Sequence, residues 1–303
     1  MEQLITIVTL TYKKFDKLYQ AIDSVLSQDY PAIEFIISDD GSPDFPEKVI
    51  QRYINERRGP NIVNVQLLTH SENQGTVRNL NDAYRKAKGN IIIPLSADDS
   101  FLNPNIISRI VEVYKKRNCN SLLIGRALFN QNGQFVRNIP SKKAGIVLTK
   151  NRDNREQYQR FVTGRFFDVF SGCALSFKKE FIEDWGYFDE RYILLEDAPF
   201  FAQYLWNHYM ECAFDIIGIH YNEGGVSSGK KHPLLLKDDE VYRRTDRIAH
   251  LRELNWYQRA IVQHEVLRAN DLSRKGRMKA ALRHPIGFIG IKAYRLRWRL
   301  LRD

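Results

Sequence analysis

Along the first hundred residues, short apolar runs alternate with segments whose apolar positions recur every three or four residues. Leu4 to Leu10 carries no charge and is rich in β-branched residues, the pattern of a parallel strand covered on both faces. Residues 15–27 place Leu18, Ile22, Val25 and Leu26 at helical spacing. Ile33 to Ser38 predicts a second buried strand, ended by Asp39, Asp40 and Gly41. A helix over 46–57, a third strand over Ile62 to Leu68 and an amphipathic helix over 76–88 follow, the last closing at Gly89 as a C′ glycine. Ile91 to Leu95 is a fourth strand, stopped by Ser96-Ala97-Asp98-Asp99. Repeated βα units of this length predict right-handed crossovers and an open, mostly parallel α/β sheet with helices on both faces.

Beyond residue 103 the pattern loosens. It predicts a helix over 104–117, strands over 121–129 and 134–139, and a short strand from Gly172 to Phe177. A helix over 197–209 and a strand from Ala213 to Ile219 come next, whereas 150–160 is polar and charged without a clear period. From 234 to 283 the reading is mostly helical and basic. The α/β domain is therefore expected to fill residues 1–230, with a helical, basic C-terminal extension over 231–303.

Composition narrows the class. A chain of 303 residues with 43% hydrophobic and 27% charged positions buries a core without disulfide or metal staples. Cys119, Cys173 and Cys212 are odd in number and lack CxxC spacing, which argues against a disulfide framework or thiolate zinc site. Cys173, in SGCALSF, reads as a small buried hydrophobe. No apolar run reaches the roughly 18–20 residues that span a bilayer. The opening MEQLITIVTL lacks a basic n-region and a cleavage site, so a cytoplasmic location is expected.

The formal charge of +10 is unevenly placed. From residue 241 onward there are 16 basic and 5 acidic residues; the first 240 carry 30 and 31. Residues 286–302 put Ile289, Ala293, Leu296 and Leu300 on one helical face and Lys292, Arg295, Arg299 and Arg302 on another, with Arg297 intruding on the apolar arc. One reading is an interfacial helix over residues 284–303, lying on an anionic membrane with Tyr294 and Trp298 at the boundary. Another is a helix packed on the α/β domain or on a second copy, giving a homodimer. Nucleic-acid binding is disfavoured, because the first 240 residues show no recognisable module for it.

Chemistry concentrates at two strand ends. Ligands in open α/β sheets bind beyond the carboxyl ends of the strands, where Asp39-Asp40 and Asp98-Asp99 fall. Adjacent carboxylates repel, so such a pair calls for a cation or for donors, here a divalent Mg2+ or Mn2+ bridging a nucleoside diphosphate. The same residues also suit helix caps and Asx turns; two pairs at successive strand ends favour the metal.

These residues carry a resemblance. The stretch VTLTYKKFDKLYQAIDSVLSQDYPAIEFIISDDGSPD resembles the opening signature of family 2 glycosyltransferases of the GT-A, Rossmann-like fold, through Thr9, Tyr12, Leu18, Ala21, Ser24, Gln28 and the DDGS of Asp39 to Ser42. NQGTVRNLNDAYRKAKGNIIIPLSADD resembles the second block, with Asn73, Gly75, Arg78 and Asn79 in place, and GYFDERYILLEDAPFFAQYL the third. The resemblance implies that Asp39 accepts a hydrogen bond from a pyrimidine N3–H, with Thr9 and Tyr12 in the same pocket and Arg78 orienting Asp39. Asn79 belongs to that donor-binding set. Asp98 and Asp99 would face the ribose and a Mn2+ or Mg2+ ion. Ser96 stands where the family often has an aspartate, which leaves a ribose contact without charge. Asp197 would be the general base and Glu196 its supporting neighbour, although an acidic pair opening a helix also suits the helix dipole.

Four further features complete the reading. His220, in IHYNEGGVSSG, would reach the diphosphate or the metal, in a loop whose Gly224, Gly225, Ser227, Ser228 and Gly229 give it freedom to fold over the donor. Trp185 and Tyr187 would line an acceptor cavity or belong to the core. The Gln-x-x-Arg-Trp of processive members is absent, which implies single addition. The whole implies a metal-dependent inverting transferase moving a sugar from a nucleoside-diphosphate donor, UDP-linked, to a glycan or lipid-linked glycan in bacterial surface polysaccharide synthesis, peripheral on the inner face of the membrane. The alternatives are a catalytically degenerate GT-A scaffold or a metal-dependent nucleotidyltransferase. The latter usually has a glycine-rich loop after the first strand, and residues 9–16 contain no glycine.

Overall fold

A computed structural model describes residues 2–13, 15–164, 168–223, 232–271 and 273–302; the side chains of 294, 295 and 297–302 lie outside the described residues. In chain order the elements are β1 (Ile5–Thr11), α1 (Leu18–Leu26), β2 (Ile33–Asp39), α2 (Glu47–Arg57), β3 (Ile62–Thr69), α3 (Thr76–Lys86), β4 (Ile91–Pro94), β5 (Ser100–Phe101), α4 (Ile106–Arg117), β6 (Ser121–Phe129) and β7 (Phe135–Ile139). Then come α5 (Lys142–Thr149), α6 (Asn154–Val162), β8 (Leu175–Lys178), α7 (Lys179–Trp185), α8 (Asp197–Asn207) and β9 (Glu211–Asn222). The chain continues with α9 (Pro233–Arg244), α10 (Trp256–Asn270), α11 (Arg274–Arg283) and α12 (Pro285–Arg302).

These elements form two units. The first holds residues 1–139, 172–196 and 211–230; the second holds 140–171, 197–210 and 231–303. The expected division at 230 is one of several boundaries, and two earlier segments join the C-terminal residues.

The nine strands of the described residues belong to the first unit, in the order β3-β2-β1-β4-β8-β6-β9-β5, with β7 on β6. β1 lies between β2 and β4, parallel to both, with Ile5 opposite Ile33 and Ile91. β3 extends this parallel half beyond β2. Every position of β2 is buried, as are six of seven in β1, which is why both are mostly apolar rather than alternating, with Glu34 of β2 the one buried charge before Asp39. The second half is mixed. β8 runs antiparallel to β4 and β6, β9 runs parallel to β6, and the short β5 and β7 oppose β9 and β6.

Two buried polar features pin the parallel half. Glu34 is fully buried and accepts hydrogen bonds from Thr6 Oγ1 (2.6 Å), Lys88 N (2.7 Å), Gln66 (2.8 Å) and Asn64 (2.9 Å). Burial alone would raise its pKa, but these donors outweigh burial and hold it below the usual carboxylate value. Gly89 is not a helix cap: α3 stops at Lys86 and Ala87 is already extended. Its N–H donates to Thr6 Oγ1 at 2.8 Å, and a Cβ there would stand 2.4 Å from the Thr6 nitrogen. Close approach to β1, rather than chain reversal, requires glycine at 89.

In the second unit, the unpatterned stretch 150–160 contributes to α6, started by Asp153, which accepts from the N–H groups of Arg155 and Glu156. Phe161, Phe170 and Phe201 pack with ring centroids 5.2–5.9 Å apart, and Gln157 fixes Met210 through two hydrogen bonds. α10 opens with a capping box between Asn255 and Gln258 and packs against α11 and α12. Among the described residues no helix is long and apolar enough to cross a membrane.

Candidate active site

The parallel register brings the carboxyl ends of β1, β2 and β4 to one edge of the sheet. Thr11 lies opposite Asp39, Asp40 N donates to Thr11 O (3.0 Å) and Leu95 N to Val8 O (2.9 Å). Thr9, Tyr12, Asp39 and the Ser96–Asp99 turn therefore share that edge. Thr9 is fully buried, and its Oγ1 has no hydrogen-bond partner among the described residues. Tyr12 is exposed, with the Lys13 ammonium 4.8 Å from its ring centre.

The first acidic pair divides its labour. Asp40 accepts the N–H groups of Gln74 (2.8 Å) and Gly75 (3.0 Å), at the positive end of α3. It anchors a loop in which Gly75 has φ +91°, with space for a Cβ closed by Ile193. Asp39 is fully buried, and both its oxygens are engaged by Ser42, through the backbone N–H (2.6 Å) and the hydroxyl (2.7 Å). Ser42 Oγ in turn accepts from Lys13 N at 2.8 Å. The carboxylate is closed to solvent in this conformation.

Two residues of the expected donor set do other work. Arg78 does not orient Asp39; it is exposed and lies 3.7 Å from Glu190. Asn79 is buried and bonded to Ser38, accepting from its hydroxyl and donating to its carbonyl, which ties α3 to the end of β2. Sequence spacing reports which helix a residue is on, not where a long side chain ends.

The second pair behaves differently. Asp98 and Ser96 are half-buried, and Asp99 N closes the turn on Ser96 O at 3.0 Å. Asp99 is 3% exposed; its Oδ1 accepts from Asn222 N (3.1 Å), while Oδ2 is buried without a hydrogen-bond partner among the described residues. Burial, and secondarily the neighbouring Asp98, push its pKa up to about 8, against the opposing influence of Asn222, Arg126 and Lys17. Asn222 also donates its side-chain amide to Asp98 O at 2.6 Å, so one residue at the end of β9 fixes the turn twice. No motif in the sequence marks it.

β9 also carries His220, opposite Ser100 in the β5 pairing and 3.7 Å from the Phe129 ring. Its Nε2 is buried without a partner among the described residues, and burial, with Lys17, lowers its pKa, favouring the neutral imidazole that can ligate a metal. Arg126 of β6 is buried, with its guanidinium 4.6 Å from the Tyr221 ring centre and donating to Cys173 Sγ at 3.5 Å. Cys173 is thus half-buried and hydrogen-bonded rather than a core hydrophobe. The expected loop residues Gly224, Gly225, Ser227, Ser228 and Gly229 lie outside the described residues.

Trp185 is half-buried against Phe181, and Tyr187, with φ +67°, is half-buried beneath the Arg85 guanidinium. Glu196 ends its segment of the first unit beside the buried Tyr84, whose phenol is raised by burial and then by that charge. Asp197 is half-buried as the first residue of α8, in the second unit. Among the described residues there is no group of three or more His, Cys, Asp or Glu arranged to hold a metal ion. The orphaned Asp99 oxygen nevertheless fits a cation, since a buried carboxylate oxygen that meets no donor is costly.

Comparison with known proteins adds the decisive observation: the model of the family described as Glycosyl transferase family 2 matches residues 6–185, more than half of the chain. The chain belongs to that family. The match includes both acidic pairs and ends before Glu196, Asp197 and His220. A glycosyltransferase of Rickettsia bellii is 28% identical over 191 residues, 62% of this chain and 25% of that protein. A putative teichuronic acid biosynthesis glycosyltransferase of Bacillus subtilis is 29% identical over 132 residues, 43% of this chain and 49% of that protein. The GalNAc(5)-diNAcBac-PP-undecaprenol beta-1,3-glucosyltransferase of Campylobacter jejuni is 24% identical over 182 residues, 60% of this chain and 56% of that protein. The chain spans about a quarter to a little over half of the length of these relatives.

Solved structures share the fold at low identity. The 1–349 fragment of S. aureus TarS with UDP-GlcNAc superposes with a TM-score of 0.61 at 14% identity, covering 96% of this chain and 92% of that one. The mannosyltransferase PcManGT of Pyrobaculum calidifontis, with GDP-Man and Mn2+, gives 0.58 at 16%, covering 99% and 83%. The chain is thus a family 2 member of GT-A fold with C-terminal helices, and its relatives include one named for teichuronic acid biosynthesis.

Proposed function

We propose that this transferase moves a sugar from a nucleoside-diphosphate donor to a hydroxyl of a glycan acceptor with inversion at the anomeric carbon. The reading rests above all on Asp99, a buried carboxylate with one oxygen unsatisfied at the carboxyl edge of the sheet. Thr9, Tyr12, Asp39 and Ser96 would receive the nucleoside, Asp39 after its Ser42 contacts open. Asp99, with Asp98 and His220, would hold Mn2+ or Mg2+. That ion, when bound, supplies positive charge to the leaving diphosphate.

The remaining chemistry belongs to the chain. A sugar hydroxyl is a weak nucleophile, so Asp197 takes its proton as the hydroxyl oxygen bonds to C1 and the C1–O bond to the diphosphate breaks. Glu196 supports that base. Neighbours of the same fold bind UDP-GlcNAc and GDP-Man, which supports a nucleotide-sugar donor, with UDP the choice the resemblance favours. Relatives named for teichuronic acid and for an undecaprenol-linked glycan support a surface-polysaccharide acceptor, lipid-linked, with transfer on the cytoplasmic side.

The test is Asp197→Asn. Loss of general-base help should lower transfer by about 10²–10⁴-fold with donor affinity within about twofold of the parent. Transfer at the parent rate would remove Asp197 from the mechanism.

A further inference from the structure

α11 and α12 rest on α10 through small residues. A Cβ on Gly287 would stand 2.1 Å from Ala260 O, and one on Gly290 would meet Ile261 at 3.0 Å, so α12 approaches α10 on a glycine face. On α11 the buried positions are Gly276 and Ala280, and the Ala280 carbonyl lies 3.2 Å from His264 Nδ1. Packing through small side chains leaves the large apolar ones outside. Met278 is 59% exposed, Leu282 77%, Ile286 43%, Ile289 66% and Leu296 62%.

Ile286, Ile289, Ala293 and Leu296 recur at helical spacing along α12, and Ala293 is exposed with the rest. The apolar face read from sequence is therefore not what fastens α12 to its neighbours. Its surroundings are predominantly positive. From Arg274 to Arg302 there are ten Lys or Arg residues and no Asp or Glu. Arg274, Lys275, Arg277, Lys279, Arg283 and Lys292 are exposed. A protein partner of ordinary composition presents both signs. A strong excess of positive charge, relieved beside α11 only in part by Asp271, around exposed aliphatic side chains matches a surface of anionic headgroups over hydrocarbon.

We propose that the α11–α12 corner docks on an anionic lipid bilayer. Met278, Leu282, Ile286, Ile289 and Leu296 enter the headgroup–acyl boundary, and the flanking Lys and Arg pair with lipid phosphates. The docking surface starts at Arg274, ten residues before the segment expected from sequence, and it is independent of the sugar-transfer reading.

The experiment is flotation of the full chain with vesicles of phosphatidylglycerol and phosphatidylcholine against vesicles of phosphatidylcholine alone. Binding to the anionic vesicles is expected to be at least about tenfold tighter and to fall with added salt. The variant carrying Leu282→Glu and Ile289→Glu, both at exposed positions, should lose about tenfold or more of that binding while its thermal midpoint stays at the parent value. Equal binding to both vesicles, no binding, or anionic binding unchanged in the variant would overturn the proposal. So would a concentration-dependent dimer in sedimentation that the variant loses, which would assign the face to a second copy. DNA retention without vesicle binding would overturn it in favour of nucleic acid.

Discussion

Asp99→Asn should stabilise the metal-free protein, and by an amount that depends on pH. The folded state holds this carboxyl up to about 8 because it is buried beside Asp98 with one oxygen unsatisfied, whereas in the unfolded chain it returns to the ordinary 3.8. A raised acid favours the protonated folded form, so its contribution is fully present below the unfolded value and is lost as pH climbs through the folded one. Between about pH 4 and 8 the parent should lose about 1.4 kcal/mol per pH unit from this group, reaching about 4 kcal/mol at pH 7. The amide cannot ionise, so the variant lacks that slope. Urea unfolding in chelator at pH 5, 6, 7 and 8 measures it, since all other titrations are common to both proteins. The stability difference should widen steadily from pH 5 to 8, and added Mn2+ should stabilise the parent alone. Parallel stability curves, or a parent that gains on the variant as pH rises, would refute the reasoning that Asp99 is an unsatisfied buried carboxylate.

Three other outcomes follow from the geometry. Glu34→Gln turns one accepting oxygen into an NH2 group among four donors and should cost about 2–3 kcal/mol at pH 7. Because Glu34 is held below its usual value, that cost should shrink as pH falls through its folded pKa, as read by the same urea unfolding. Gly75→Ala places a Cβ 2.5 Å from Ile193 at φ +91° and should lower stability by about 2 kcal/mol or more, seen as a lower thermal midpoint; an unchanged midpoint would mean the loop relaxes freely. Asn222→Ala removes the side-chain bond to Asp98 but leaves the backbone bond to Asp99, so Mn2+-dependent donor affinity should drop about 10–100-fold in calorimetry with little change in unfolding midpoint.

The parallel half of the sheet was legible because β1 and β2, buried on both faces, are mostly apolar and β3 is rich in Ile, Val and Leu, and all three form within a residue of where those stretches lie. The antiparallel insertion of β8 was not, since four residues between β4 and β6 carry no period that reports direction. α5 and α6 were hidden because their buried faces include Ala144, Gly145 and Gln157 in place of large apolar residues; local caps at Ser141 and Asp153 define them instead. At the site, adjacency in sequence made Asp39-Asp40 and Asp98-Asp99 look equivalent. Hydrogen bonding separates them: Asp40 is consumed by the start of α3, Asp39 by Ser42, and Asp99 alone retains a buried oxygen unsatisfied. Such differences depend on partners such as Asn222, 123 positions from Asp99, which no local pattern contains.

The central claim is that this edge of the sheet receives a nucleotide sugar and activates it. It is tested most directly by incubating the purified chain with UDP-, GDP- and TDP-sugars, with and without Mn2+, and measuring release of free nucleoside diphosphate. The account predicts Mn2+-dependent release from one nucleotide class, UDP first among them, and its loss in Asp99→Asn. Release from none of the donors, with no binding detected in parallel calorimetry, would contradict it.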